Sequence, residues 1–106
     1  MLKPLVLLIS PILLLTGCAN WVKVSALGSR VAVVTQDTVA SCKKLGDTTA
    51  TVTPRFGIYE RSQEGMGSDL DSLARNAAAD MNGDAIVATS PILDGKRSYA
   101  VYRCGR

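Results

Sequence analysis

The sequence predicts a small α+β domain, in which a four-stranded sheet carries one helix packed on a face and one disulfide closes the fold. The expected order is β-β-loop-α-β-β. Three observations predict it: apolar residues recur at helical spacing in the region 68–83, β-branched segments flank this region, and two cysteines lie far apart in residues 31–106. At this length only one small hydrophobic core is expected.

The first two strands are predicted from β-branched residues on the N-terminal side of the helix. Residues 31–35 form the first strand, and the threonine-rich residues 44–56 form the second. Gly46 predicts a bulge near the start of the second strand, and Pro54 predicts fraying towards an edge. Residues 57–67 contain three glycines and no periodicity, so a flexible loop is expected there.

The helix is predicted from its caps and from its apolar face. Ser68 is the expected N-cap, with Asp71 three residues later. Asn82-Gly83 is expected to end the helix, with Gly83 in the left-handed conformation. The apolar residues that share one face are Leu70, Leu73, Ala74, Ala77, Ala78 and Met81.

The last two strands form a predicted hairpin. Residues 85–92 form the first of them and residues 97–104, with alternating side chains, form the second. Asp94-Gly95 lies between them, and this pair favours a type I′ turn.

The N-terminal residues have the form of a bacterial lipoprotein signal peptide. An apolar stretch over residues 5–15 leads into Leu15-Thr16-Gly17-Cys18, which has the form of a lipobox. Cleavage is expected between Gly17 and Cys18, with a lipid on the Cys18 thiol. The alternative is a membrane-spanning helix, but the stretch is short against the roughly 20 residues that such a helix needs. The expected divisions are a signal peptide (1–17), an acylated N-terminus with a short tether (18–30) and the domain (31–106).

The remaining cysteines predict a disulfide. Lipidation of Cys18 leaves Cys42 and Cys104, an even pair in a chain exported to an oxidising compartment. A metal or redox pair is the alternative. The chain has no histidine to complete a zinc site and no C-x-x-C spacing, so no metal and no cofactor are expected.

Composition argues against nucleic-acid binding and catalysis. The net charge is +3, and no run of like charges exceeds a pair, so a nucleic-acid groove is not expected. The absence of histidine excludes Ser-His-Asp and Cys-His arrangements. A small hydrolase would have to use carboxylates such as Glu60, Asp80 and Asp84. We therefore expect a non-enzymatic protein.

Several short elements occur in a characteristic order. The lipobox precedes Cys42 with Leu45-Gly46, then Asn76-Ala77-Ala78, and the chain closes with Val101-Tyr102-Arg103-Cys104. In this order the chain resembles a family of small proteobacterial lipoproteins known as domain of unknown function 4156. Asn82-Gly83 stands where that family is expected to have Gly-Gly. The resemblance implies an envelope lipoprotein and implies no activity.

The chain is also distantly similar to the outer-membrane sensor lipoproteins of the Rcs envelope-stress pathway. Those proteins have a long proline-rich tether and a second disulfide, which this chain lacks, so the similarity implies the fold alone. Ala19, rather than Asp, follows Cys18, and the sorting rule for such lipoproteins then implies the periplasmic face of the outer membrane. The expected role is binding of an envelope protein or peptidoglycan by a membrane-anchored lipoprotein. The alternative is envelope-stress sensing or signalling.

Overall fold

Four strands form one mixed sheet, and a single long helix packs on one face of it. The computed structural model describes residues 23–56 and 58–105. Two short 3-10 helices lie before the second strand, at Gly28–Arg30 and Gln36–Val39. The other elements are β1 (Ala32–Val33), β2 (Lys43–Thr51), β3 (Arg55–Phe56), β4 (Tyr59–Glu60), α1 (Gln63–Asp80), β5 (Ala85–Ala88) and β6 (Lys96–Arg103).

The sheet has the strand order β1-β5-β6-β2. β1 runs parallel to β5, while the β5–β6 and β2–β6 pairs are antiparallel. The register of β2 against β6 shifts between Lys44 and Gly46, which confirms the predicted bulge. The predicted α+β fold, with four strands and one helix, is therefore confirmed.

The turn between β5 and β6 has the predicted form. Asp94 and Gly95 both have positive φ, at 53° and 75°, as a type I′ turn requires. β5 is shorter than predicted, because it ends at Ala88 and not at residue 92. Beyond the end of β5, the backbone N–H of Ser98 on β6 donates to the side chain of Ser90, at 3.0 Å from Oγ, and not to a backbone carbonyl of a continuing strand. Pro91, which follows, has no N–H to donate.

The region before the helix differs from the prediction. The second strand was predicted over residues 44–56, but β2 ends at Thr51, and β3 pairs with β4 in a separate small hairpin. The predicted loop at 57–67 thus contains β4 and the first turn of α1. Ser62, and not Ser68, is the N-cap, and its Oγ accepts the N–H of Gly65 at 3.0 Å. The helix therefore begins six residues earlier than the predicted cap at Ser68 indicates.

The helix ends where it was predicted to end, but with a different residue in the left-handed conformation. Asn82 has a φ of 66°, so the left-handed assignment of Gly83 was wrong. Gly83 is buried instead, and a Cβ there would lie 2.5 Å from Cγ1 of Val101. A glycine is required at this position because the chain passes close to β6.

Each face of the sheet carries its own core. Between helix and sheet the wholly buried side chains include Leu70, Ile86 and Tyr99. The other face carries a smaller cluster, which the segment 34–42 helps to cover. Its buried members are Val39, Ala85, Val87, Ala100 and Tyr102.

The predicted disulfide is confirmed. Cys42 and Cys104 are bonded, with Cα atoms 4.6 Å apart, and both side chains pack against the smaller cluster. Asp84 also holds the backbone at Cys104. Its carboxylate is buried and accepts the backbone N–H groups of Cys104 at 2.7 Å and Gly105 at 2.9 Å. The C-terminal end of β6 is therefore held covalently and by hydrogen bonds.

Residues 23–30, which the sequence assigns to a tether, pack against α1. The Asn76 side chain holds them at two points: its Nδ2 donates to the carbonyl of Lys23 at 2.9 Å, and its Oδ1 accepts the N–H of Ser25 at 2.8 Å. Arg75 adds two hydrogen bonds to the carbonyls of Ser29 and Val31. We call residues 23–30 the docked linker.

Replacing Cys42 by serine should lower the free energy of unfolding by about 4 kcal/mol, because the bond closes a long loop whose entropy the unfolded chain would regain. The separation between the two cysteines is 62 residues. Denaturant unfolding of the purified protein measures the change. The control is the unsubstituted protein in reductant, which should show the same loss. A shift below about 1 kcal/mol would mean that the bond contributes little.

Candidate functional site

A cavity of about 370 Å³ lies at the N-terminal end of α1. The β3–β4 hairpin forms one wall, the first turns of the helix form another, and the β5–β6 turn closes it. The side chains are mostly polar, with one thioether at the base. The lining residues are Pro54, Arg55, Glu60, Arg61, Gln63, Met66, Asp94 and Gly95.

A buried ion pair fixes the hairpin to the helix beside this cavity. Arg61 Nη2 lies 2.7 Å from Asp69 Oδ2, and the two side chains are only 8% and 2% exposed. The backbone N–H of Arg61 also donates to the carbonyl of Pro54 at 2.9 Å. Removing one partner of a buried pair typically costs about 3–5 kcal/mol, because the other charge stays buried. The cavity wall is therefore firmly held.

Two large aliphatic side chains are exposed beside the cavity. Ile58 is fully exposed in the turn of the hairpin, and Leu93, next to the cavity residue Asp94, is 66% exposed. Single exposed aliphatic residues are common on protein surfaces. Here neither residue lines the cavity, but both lie in segments that contribute lining residues: Ile58 in the hairpin with Arg55 and Glu60, and Leu93 next to Asp94. We call Ile58, Leu93 and the cavity the hairpin surface.

The charges of the hairpin surface do not form a site for a simple anion. Arg55 faces Glu60 at 3.4 Å in an exposed pair, and Arg61 is paired with Asp69. Asp94 adds a further carboxylate. Because both arginines are paired with carboxylates, the cavity does not favour a small anionic ligand.

Tyr99 joins the sheet to the helix in the main core. Its ring is wholly buried, and its hydroxyl donates to Asp71 Oδ1 at 2.5 Å. Burial, and then the neighbouring Asp71 carboxylate, raise the pKa of Tyr99 above its usual value of about 10. The phenol therefore stays neutral and keeps donating well into the alkaline range.

The structure separates the residues that the sequence offers for chemistry. Glu60 lines the cavity beside the hairpin, whereas Asp84 is buried at the opposite end of the helix, and Asp80 is exposed on the last helical turn. They form no common site. Within residues 23–56 and 58–105, no three His, Cys, Asp or Glu side chains lie close enough together to hold a metal ion.

The predicted lipidation and cleavage residues, Gly17 and Cys18, lie outside the described residues, whereas Cys42 and Cys104 are brought together as predicted. In the part of the chain that the structure describes, no helix combines the length and hydropathy needed to cross a bilayer. Sequence reasoning missed the Arg61–Asp69 pair and the role of Asn76. Both depend on contacts between distant segments, although Asn76 belongs to a motif that the sequence analysis singled out.

Comparison with known proteins yields one match. The family model described as Domain of unknown function (DUF4156) matches residues 22–104. Neither the curated proteins nor the solved structures include a match to this chain. The similarity to the Rcs sensor lipoproteins is therefore not shown, and envelope-stress sensing stays a prediction.

Replacing Tyr99 by phenylalanine should change how stability depends on pH. A raised pKa in the folded protein means that its contribution is complete below about pH 10 and is lost as the pH rises further. The substitution should remove that alkaline loss and cost about 1 kcal/mol at neutral pH for the missing hydrogen bond.

Denaturant unfolding between neutral pH and pH 11 or so measures this difference. Tyr102→Phe, in the smaller cluster, is the matched control. If Tyr102→Phe flattened the alkaline loss and Tyr99→Phe did not, the assignment to Tyr99 would be wrong.

Proposed function

We propose that this chain, which belongs to the family described as Domain of unknown function (DUF4156), is a non-enzymatic lipoprotein of the bacterial envelope. It is held through a lipid on Cys18, at the periplasmic face of the outer membrane. There it binds an envelope protein through the hairpin surface. Peptidoglycan, the other predicted partner, fits the exposed aliphatic residues less well.

The disulfide supports export of the chain. Structural disulfides persist in oxidising compartments such as the periplasm and are rare in the cytosol. The Cys42–Cys104 bond joins segments 62 residues apart and supports the smaller cluster. Together with the lipobox ending at Cys18, it favours a protein that folds after crossing the inner membrane.

The observation that carries the proposal is the separation of the docked linker from the hairpin surface. Asn76, which holds the linker, lies thirteen residues after Gln63, which lines the cavity, and at 1.5 Å per residue this is about 20 Å along the helix. The chain thus enters the domain near one end of α1, while the exposed hairpin lies at the other end. An anchored protein with this arrangement presents the hairpin away from its membrane.

Replacing Cys18 by alanine should abolish both processing and anchoring. The lipid is carried by the thiol, so the variant should keep its signal peptide and lack the mass of the acyl groups. Intact mass spectrometry of protein purified from membranes measures both. Ala19→Asp is the matched control, and it should remain acylated but fractionate with the inner membrane. Acyl groups on the Cys18→Ala variant would contradict the proposal.

Replacing Ile58 by lysine should disrupt the binding of a partner. A lysine ammonium placed where an aliphatic side chain is desolvated costs binding energy, typically at least tenfold in affinity when the residue is central to an interface. Chemical cross-linking in intact cells, followed by mass analysis of adducts, measures the interaction.

The matched control is Val33→Lys, which makes the same kind of change at an exposed aliphatic residue on the β1 edge of the sheet. An adduct lost with Ile58→Lys and kept with Val33→Lys supports the hairpin surface as the binding site. Loss with neither variant, or with both equally, would place the partner elsewhere.

A further inference from the structure

We propose that the face formed by the docked linker and the adjoining ends of β2 and β6 binds the anionic headgroups of the bilayer that holds the lipid anchor. We call this the linker face, and its residues are Leu27, Arg30, Lys43 and Arg103. The inference rests on the proposed function, since it requires the anchor on Cys18. It adds a second contact with the membrane, made by the folded domain itself.

The short chain between the anchor and the domain brings this face to the membrane. Lys23 is held by Asn76, and it lies only five positions after Cys18 in the sequence. A fully extended chain of that length spans at most about 18 Å. An acylated Cys18 lies at the bilayer surface, so the part of the domain around the docked linker must lie within that distance of the headgroups.

The linker face has the mixed character of an interfacial surface. Leu27 is 60% exposed, and Arg30 and Arg103 are exposed beside it around a cavity of about 230 Å³. The rest of the lining comes from the end of α1 and the residues after it: Ala79, Asn82, Gly83 and Asp84. Aliphatic side chains enter the headgroup layer, while arginines bind lipid phosphates by paired hydrogen bonds.

Like charges are placed together on this face. Lys43 and Arg103 are directly opposite partners in the β2–β6 register, and both are exposed. Such a pair is destabilising unless another charge offsets it. One N–H group of Arg103 donates to the carbonyl of Asn82 at 2.9 Å, and a guanidinium has five such groups. An anionic headgroup would offset the repulsion and accept the remaining donors.

The charges that the linker face exposes to solvent are positive. Asp84 lines the cavity but is 5% exposed, and its two oxygens accept the N–H groups of Cys104 and Gly105. Asp80 is exposed on the last turn of α1 but does not line the cavity. The exposed charges around the cavity are therefore positive, which matches the anionic phosphates of a lipid surface.

Photo-cross-linking in vesicles tests the inference on the acylated protein. The probe is Leu27→p-benzoylphenylalanine, and the vesicles contain phosphatidylcholine alone or mixed with phosphatidylglycerol. Lipid adducts should be at least about fivefold more abundant in the anionic vesicles, because each basic residue at an anionic surface contributes about that factor, and they should fall as salt is added. The same probe at Ile58 should give few adducts in either membrane.

Charge variants decide whether the arginines are responsible. Arg30→Glu, added to the Leu27 probe, should lower the preference for anionic vesicles by more than Arg30→Gln does, while Arg103 and Lys43 keep part of it. Lys96→Glu is the matched control, because Lys96 is exposed at the opposite end of β6 from Arg103. It should leave the preference unchanged.

The outcomes separate this inference from the proposed function. If mass spectrometry finds no lipid on Cys18, the proposed function is overturned, and so is the inference, because it requires the anchor. If Cys18 is acylated but adducts at Leu27 are equal in the two vesicle types, or are insensitive to Arg30→Glu, only the inference is overturned.

Discussion

The covalent bond between Cys42 and Cys104 is the constraint on which the smaller cluster and the C-terminal end of β6 depend. It links the residue before β2 to the residue after β6, and these two strands are neighbours in the sheet. The smaller cluster has few buried residues, and a core of that size does not hold a loop in place by apolar burial alone. The bond keeps the segment 34–42 over the sheet. It also holds the C-terminal end of β6 beside Asp84.

The parts of the fold that were predicted correctly depend on local sequence. The helical spacing of Leu70, Ala74 and Ala78 describes a face that must be buried wherever the helix lies, and all three are buried against the sheet. Asp94-Gly95 adopts positive φ at both positions because such residues tolerate it at low cost. The disulfide followed from counting cysteines. Each of these features can be predicted from a few neighbouring residues or from the number of cysteines, without knowledge of contacts between distant segments.

The parts that were missed depend on contacts between distant residues. The first turn of α1 contains Gly65, and a second glycine follows at Gly67, so the local sequence disfavours a helix there. The turn forms because Ser62 caps it and because the Arg61–Asp69 ion pair ties it to the hairpin. The left-handed residue was misplaced for a similar reason. Gly83 is needed where the chain passes close to Val101, and the residue that adopts a positive φ is Asn82.

The candidate site shows the same division. The motif Asn76-Ala77-Ala78 was visible in the sequence, but its physical role was not. Ala78 is buried completely against the sheet, which needs a small side chain, and Asn76 binds the backbone of the docked linker at Lys23 and Ser25. An amide supplies both the donor and the acceptor that this double contact requires, and an aspartate would supply only acceptors. Gly28 completes the contact, because a Cβ there would lie 2.3 Å from Asn76 Oδ1.

A docked linker has a consequence for any protein held by its N-terminus. A flexible tether lets a domain rotate freely, so that every surface faces the membrane in turn, and binding in one orientation then costs rotational entropy. Here the linker is fixed to α1 from Lys23 onward by the hydrogen bonds of Arg75 and Asn76. The rotational freedom of this part of the linker is therefore already lost when the domain folds. On the proposed anchoring, α1 then sets the distance between the bilayer and the hairpin surface. The helix then separates the docked linker from the hairpin surface by about 20 Å, in addition to packing against the sheet.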